Sequence, residues 1–334
     1  MNARIKVVCC NAPGVLTLEE RPAPGSPPPG WALVDVTNVG ICGTDYHIYE
    51  GKHPFLAYPR VIGHEISGVV AAVNGPADAA LGDSVIVNPY LSCGQCRACQ
   101  KGKPNCCVAI EVLGVHRDGA MGEQILVPAH NLYSAKGLSP VEAACVEFLA
   151  IGAHGVRRSM AGLGDTALVI GAGPIGLGVA MFARIAGQDV TVLELNPERS
   201  AFASSTLGFA TLDGSQKHGG FDVVYEATGN STSMAGAFRY VGHGGVMVML
   251  SVVQDDISFS DPEFHRREMI LIGSRNATRQ DFEHVVTSML AGRVPVNLLV
   301  THRTTLEDSP RDIARWAHEK SGLIKAVVEI RGRR

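Results

Sequence analysis

The sequence has no excess of charge of either sign. Its 29 lysines and arginines stand against 32 aspartates and glutamates, a formal net charge of −3, and the pI is about 6.5. Such a field holds neither a polyanion nor an anionic bilayer, so no nucleic acid and no membrane is expected as a partner. Long hydrophobic runs are also missing. The stretch nearest to a membrane span, Ala167 to Ala183, falls short of the ~20 residues a spanning helix needs, and Gly171, Gly173, Pro174, Gly176 and Gly178 interrupt it. No apolar run of secretory-leader length precedes Asn11 and Pro13, and the chain is expected in the cytoplasm. Internal repeats are absent, and the one biased tract is a stiff proline loop at 21–30, RPAPGSPPPG.

What is present is apolar material, 46% of 334 residues. That excludes a disordered or collagen-like chain, and the length suits about two domains of ~150 residues each. The nine cysteines are an odd number in a large chain, which argues against a disulfide scaffold. Five of them fall within fifteen residues, at Cys93, Cys96, Cys99, Cys106 and Cys107. Successive C-x2-C steps aim thiolates of one loop at one centre ~2.3 Å away, with Cys106 or Cys107 closing a tetrahedron. Four thiolates leave no open position, so such a zinc would be structural; an iron–sulfur cluster is the alternative.

The first 150 residues read as β-rich, with strands at 31–39, 61–73 and 83–88. Short apolar strands then recur at 167–171, 189–194, 222–226, 246–251 and 269–273, with helix-compatible stretches such as 174–186 between them. That alternation predicts a parallel sheet covered on both faces. A helix over 280–291, strands near 297–304 and 325–331, and a helix over 307–319 follow.

Gly171-Ala-Gly173-Pro174-Ile175-Gly176 follows an apolar strand and opens a helix, the context in which G-x-G-x-x-G cradles a dinucleotide pyrophosphate at a helix N-terminus. Glu194 ends the next strand. An acid there accepts hydrogen bonds from ribose hydroxyls and repels a 2′-phosphate, favouring NAD over NADP, although Arg199 could reach a phosphate or stack on adenine. A second constellation is more scattered: Cys42, His64 and Glu65, and Glu147 further on. Cysteine, histidine and carboxylate form the mixed donor set of a catalytic zinc with an open position.

Taken together, ICGTD at 41–45, GHE at 63–65, the four-cysteine loop, GAGPIG at 171–176 and the acid at 194 resemble the zinc-dependent medium-chain alcohol dehydrogenases, nearly end to end. Phe148 after Glu147 points to the polyol and sugar branch. YPRVIGHE (58–65), GVHRDG (114–119), FSDPEFH (259–265) and GSRNAT (273–278) are similar to dehydrogenases that oxidise L-galactonate or L-gulonate at C5. The resemblance implies an α/β chain. Residues 1–150 and 276–334 would form a GroES-like, β-rich catalytic domain, and residues 151–275 a doubly wound, Rossmann-type NAD-binding domain, with the active site in the cleft between them. It implies one catalytic zinc on Cys42, His64 and Glu65 or Glu147, and one structural zinc on Cys93, Cys96, Cys99 and Cys107, leaving Cys106 spare. Thr44 would be the hydroxyl relay, His47 its outer member, and Asp45 would accept the second N–H of His64. A sugar acid wants a charged partner for its carboxylate; the candidates are His116 with neighbouring Arg117, Arg275 with Asn276, and Arg266 or Arg267. Zinc and NAD are thus the expected cofactors and a small alcohol or sugar acid the expected substrate, with a homodimer or homotetramer as the expected assembly. A neutral polyol, threonine or simple alcohol is the alternative substrate, and a non-enzymatic zinc protein the distant one.

Overall fold

The computed structural model describes residues 3–53, 56–215 and 219–330; Arg331, the end of the expected 325–331 strand, lies outside them. Two compact units emerge, one of Met1–Glu147 with Val286–Arg334 and one of Phe148–Val285.

In the first unit the strand Trp31–Ile41 alternates half-buried Trp31, Leu33, Asp35 and Thr37 with buried Ala32, Val34 and Val36, the period-2 pattern of a sheet with one packed face. Its two flanking strands run antiparallel to it: Glu65–Asn74 on one side, with Ser84–Val87 and Leu132–Ser134 beyond, and Lys325–Glu329 on the other, to which Val300–Thr305 adds in parallel. Register does the placing. Glu65 lies opposite Gly40, and Ala326 lies opposite Ile41, so Glu65 and Lys325 are both brought to the end of the strand from which Cys42 emerges. A Cβ at Gly40 would fall on the Glu65 carboxylate, which is why that position has no side chain.

The second unit is a six-stranded parallel sheet in the order Ala210–Leu212, Asp189–Leu193, Thr166–Ile170, Phe221–Glu226, Val241–Met249, Ile270–Gly273. In sequence terms that is 3-2-1-4-5-6, the doubly wound order with its switch point beside the first strand. Thr166–Ile170 is buried in all but its first residue, as a strand covered on both faces must be. The GroES-like and Rossmann-type fold class expected from the sequence is therefore what the chain adopts.

One element differs. The strand expected near 297–304 begins only at Val300, because Val296–Leu299 forms a helical turn behind Pro295. Val296 and Leu299 are both buried, and a spacing of three puts them on one side of a turn.

A buried ion cluster ties two helices of the second unit. The Asp281 carboxylate, 2% exposed, accepts from Arg157 Nε at 2.7 Å and from the Thr278 hydroxyl and amide at 2.7 and 2.8 Å, and lies 2.8 Å from His154 Nδ1. Burial alone would raise its pKa, but bonds from His154, Arg157 and Thr278 outweigh burial and hold it well below the ordinary carboxylate range. A depressed folded-state pKa stabilises above the unfolded value of about 3.9 and loses that contribution as pH falls further. Asp281→Asn is expected to cost about 3 kcal/mol at pH 7. In paired urea melts of wild type and variant, that gap should narrow below about pH 4.

Candidate active site

Cys42 is the N-cap of the helix Gly43–Tyr49, in extended conformation at φ −102°, ψ 163°. Asp45 in the first turn fixes it. One carboxylate oxygen accepts the Cys42 amide at 2.8 Å and the other accepts the Gly63 amide at 3.1 Å. Asp45, 0% exposed, thus clamps the two segments that carry Cys42 and His64. His64 Nδ1 stands 3.9 Å from Asp45 Oδ1, beyond hydrogen-bond length, so the expected Asp45–His64 pairing is here an ionic proximity.

The ligand-type atoms of Cys42, His64 and Glu65 all lie within 4.8 Å of one another. His64 and Glu65 are buried. His64 Nδ1, Glu65 Oε2 and Glu147 Oε2 are buried with no hydrogen-bond partner among the described residues, and orphaned buried acceptors beside a thiol are what an absent cation would satisfy. Of the two glutamates, Glu65 belongs to the converging set. Glu147 accepts a bond from the Tyr90 hydroxyl. Burial pushes its carboxyl up to about 7, opposed by the neighbouring His64. Burial likewise opposes a charge on His64, but Asp45 and Cys42 outweigh it and its pKa rises well above the ordinary value.

Thr44 Oγ1 lies 3.8 Å from Cys42 Sγ. His47 follows three residues later on the same face of the helix and is exposed. His116 Nδ1 accepts the Val112 amide at 3.1 Å, so the neutral ring carries its proton on Nε2 as an available donor. Its loop is stitched to the His64 segment: Gly119 N donates to Val61 O at 2.7 Å and Ala120 N to Gly63 O at 3.0 Å. Several expected carboxylate readers have other partners. Arg117 is paired with Glu111 at 2.6 Å, while Arg266 and Arg267 both hold Glu263. Arg275 and Asn276 follow the last strand of the second unit, with Asn276 at φ +53°.

Three contributors were missed by sequence reasoning. His53 is half-buried, and its pKa is lowered by burial first and then by His116, His47 and His64; its signal was a second histidine close behind Cys42 and His47. Tyr90 had no signal, since only the fold brings it to Glu147. Lys325 did have one, a lone charge in the apolar run LIKAVV at 323–328. It is 1% exposed, and its ammonium donates to Glu65 Oε1 and, at 2.9 Å, to the Ile41 carbonyl. Burial would lower its pKa, but Glu65, Cys42 and Cys145 outweigh it.

A separate group joins Cys93, Cys96, Cys99 and Cys107, whose sulfurs also lie within 4.8 Å of one another. The Cys93 amide points at Cys107 Sγ and the Cys96 amide at Cys93 Sγ, 3.3 and 3.4 Å away. Backbone amides of Cys99 and Val108 hold the Cys96 thiol down to about 6. A preformed four-sulfur set with thiolate character suits a closed zinc site. Cys106 is exposed and outside the group.

In the second unit Gly173 caps the helix Pro174–Ile185, with Pro174 at its first turn. Gly171 takes φ +98°, and a Cβ on Gly176 would fall on the Gly171 carbonyl oxygen. Glu194 reaches back into this turn: Oε2 accepts the Ala172 amide at 2.7 Å and Oε1 the Asn196 amide at 2.8 Å. Asn196 caps the short helix that carries Arg199. Gly176→Ala is expected to weaken NADH binding about tenfold or more by displacing the amides of the turn. A fluorescence titration checks this, with the zinc content unchanged.

Comparison with known proteins agrees with this geometry. Residues 28–137 match the alcohol dehydrogenase GroES-like domain and residues 150–330 the glucose dehydrogenase C-terminus. The chain belongs to the zinc-type medium-chain alcohol dehydrogenase family and is an enzyme of that class. It is 39% identical over 340 residues to the L-galactonate-5-dehydrogenase of Escherichia coli K12, covering 97% of this chain and 98% of that one. Among solved structures, a putative zinc-binding dehydrogenase from Sinorhizobium meliloti 1021 bound to NADP superposes at TM-score 0.90 with 29% identity, over 98% of this chain and all of the other. A protein described as a short chain alcohol dehydrogenase from E. coli CFT073, complexed with NADH, does so at 0.92 with 27% identity, over 98% and 100%.

Proposed function

We propose that this enzyme oxidises the C5 hydroxyl of a sugar acid such as L-galactonate or L-gulonate to a ketone, with NAD as acceptor. The observation that carries the reading is the convergence of Cys42, His64 and Glu65, with the Thr44 hydroxyl 3.8 Å from the Cys42 sulfur, in a chain similar over its length to an L-galactonate-5-dehydrogenase. Zinc held by those three residues would supply Lewis acidity, and a nicotinamide dinucleotide on the Gly171–Gly176 turn would supply the hydride acceptor. The Thr44 hydroxyl accepts the proton leaving the substrate and passes it to His47, which is exposed and releases it to solvent. Asp45 holds the thiol and imidazole segments in place throughout. The second zinc site, on Cys93, Cys96, Cys99 and Cys107, shapes the loop. Glu194 favours NAD, because a 2′-phosphate would meet its carboxylate. His116, joined by His53, offers imidazole donors to the acid group, and Arg275 with Asn276 completes the candidate set. Nine free cysteines suit a reducing compartment such as the cytoplasm. The sheet edge Ile270–Gly273 exposes Ile270 and Leu271, and we place a second copy of the chain there.

The test is a screen of NADH and NADPH formation over aldonates, neutral polyols and L-threonine, with zinc counted in parallel. The highest kcat/KM is expected for an L-aldonate with NAD, at two zinc per chain. His116→Leu and Arg275→Glu are each expected to raise KM for the acid roughly tenfold or more while leaving that for a neutral polyol near wild type. A polyol turned over as well as the acid, or equal effects on both substrates, would remove the carboxylate from the account.

A further inference from the structure

Lys325 is the only lysine or arginine among the described residues that is fully buried. It sits at the first position of Lys325–Glu329, brought to Cys42 by the pairing of that strand with Trp31–Ile41. Its ammonium is hydrogen-bonded to Glu65 Oε1 and the Ile41 carbonyl. Glu65 Oε2, though within ion-pair reach of the same nitrogen, accepts no hydrogen bond among the described residues. So one buried ammonium faces both oxygens of a single carboxylate. Around it stand Asp45, 0% exposed, and Glu147, 1% exposed. Before any metal arrives, these buried acids stand beside the half-buried Cys42 thiol, an arrangement that is costly unless a positive charge is built in.

We infer that Lys325 is a resident stand-in for the metal: it neutralises Glu65 in the metal-free protein and so keeps the ligand carboxylate folded in place, while weakening the hold on zinc once zinc is bound. This rests on the reading that Cys42, His64 and Glu65 hold zinc. With the metal present, two cations share one carboxylate and repel each other. Without it, Lys325 is the ammonium hydrogen-bonded to Glu65, with His64 the other buried basic group beside that carboxylate. The alternative is a lysine that merely aims Glu65 at the metal. The two roles differ in sign. Removing an aiming group loosens zinc, whereas removing a competing cation tightens it.

The experiment is chelator competition on the full-length chain, following the zinc that Cys42→Ala loses. Lys325→Met is expected to hold that zinc at least about tenfold more tightly than wild type, and Lys325→Arg, which keeps the charge, close to wild type. In thermal melts, stripped Lys325→Met should fall about 10 °C below stripped wild type, and the zinc-loaded pair should differ much less. Glu65→Gln combined with Lys325→Met removes both charges and should restore the stripped protein. Should Lys325→Met not fold, Lys325→Gln carries the same comparison. Unchanged or weaker zinc binding, or equal losses of melting temperature with and without metal, would overturn the inference. A wild-type chain that binds a single zinc would instead overturn the catalytic-site reading beneath it.

Discussion

Cys42→Ala is expected to reduce dehydrogenase activity by about a thousandfold or more and to lower the zinc content from two to one per chain. The thiol is one of three donors brought together from two separate segments, and its two partners are buried with unsatisfied atoms. A site with three protein ligands does not keep its metal, or the metal's share of the barrier, when one is removed. Metal analysis and initial rates on the same preparation check this. Turnover equal to wild type would end the zinc mechanism. His47→Ala is the instructive contrast. That side chain is exposed, water can take over its last proton transfer, and a loss of only about tenfold is expected.

The second large effect concerns stability. Cys107 is 1% exposed and closes the four-sulfur group from outside the C-x2-C-x2-C run. Binding of a structural zinc is worth roughly 10–16 kcal/mol in small domains, so Cys107→Ser should release that ion, lower the melting temperature sharply and make the 93–107 loop sensitive to protease. Cys106→Ser, one residue away and exposed, should match wild type in zinc, melting and rate. The pair separates a ligand from its neighbour without changing composition. Equal behaviour of the two variants would remove Cys107 from the cluster.

The parts of this protein that could be read from sequence are those whose chemistry is local. C-x2-C spacing, a glycine turn between a strand and a helix, and an acid at the end of the next strand each carry their own physical requirement within a few residues. The parallel sheet was legible for the same reason, since buried strands are continuous apolar runs. The Tyr90–Glu147 contact was not, because fifty-seven residues separate a strand residue from a helix residue and only the tertiary fold brings them together. Gly40 carried no visible sign that its missing side chain makes room for Glu65. The 297–304 segment misled only at its start, because the apolar pair Leu298-Leu299 fits a strand or a helical turn alike. Arg117 looked like a carboxylate reader until its neighbour Glu111 proved to hold it.

The order of the strands around Trp31–Ile41 has a consequence for biosynthesis. The segment that brings Lys325 against Glu65 is made last, after an entire second unit has been threaded through the chain. During translation the early strands of the first sheet wait with one edge open and the acids near Cys42 uncompensated. A ribosome halted at residue 320 would already have made Cys42, His64 and Glu65 but not Lys325, so the charge that faces Glu65 joins the pocket only when the last strand pairs with Trp31–Ile41.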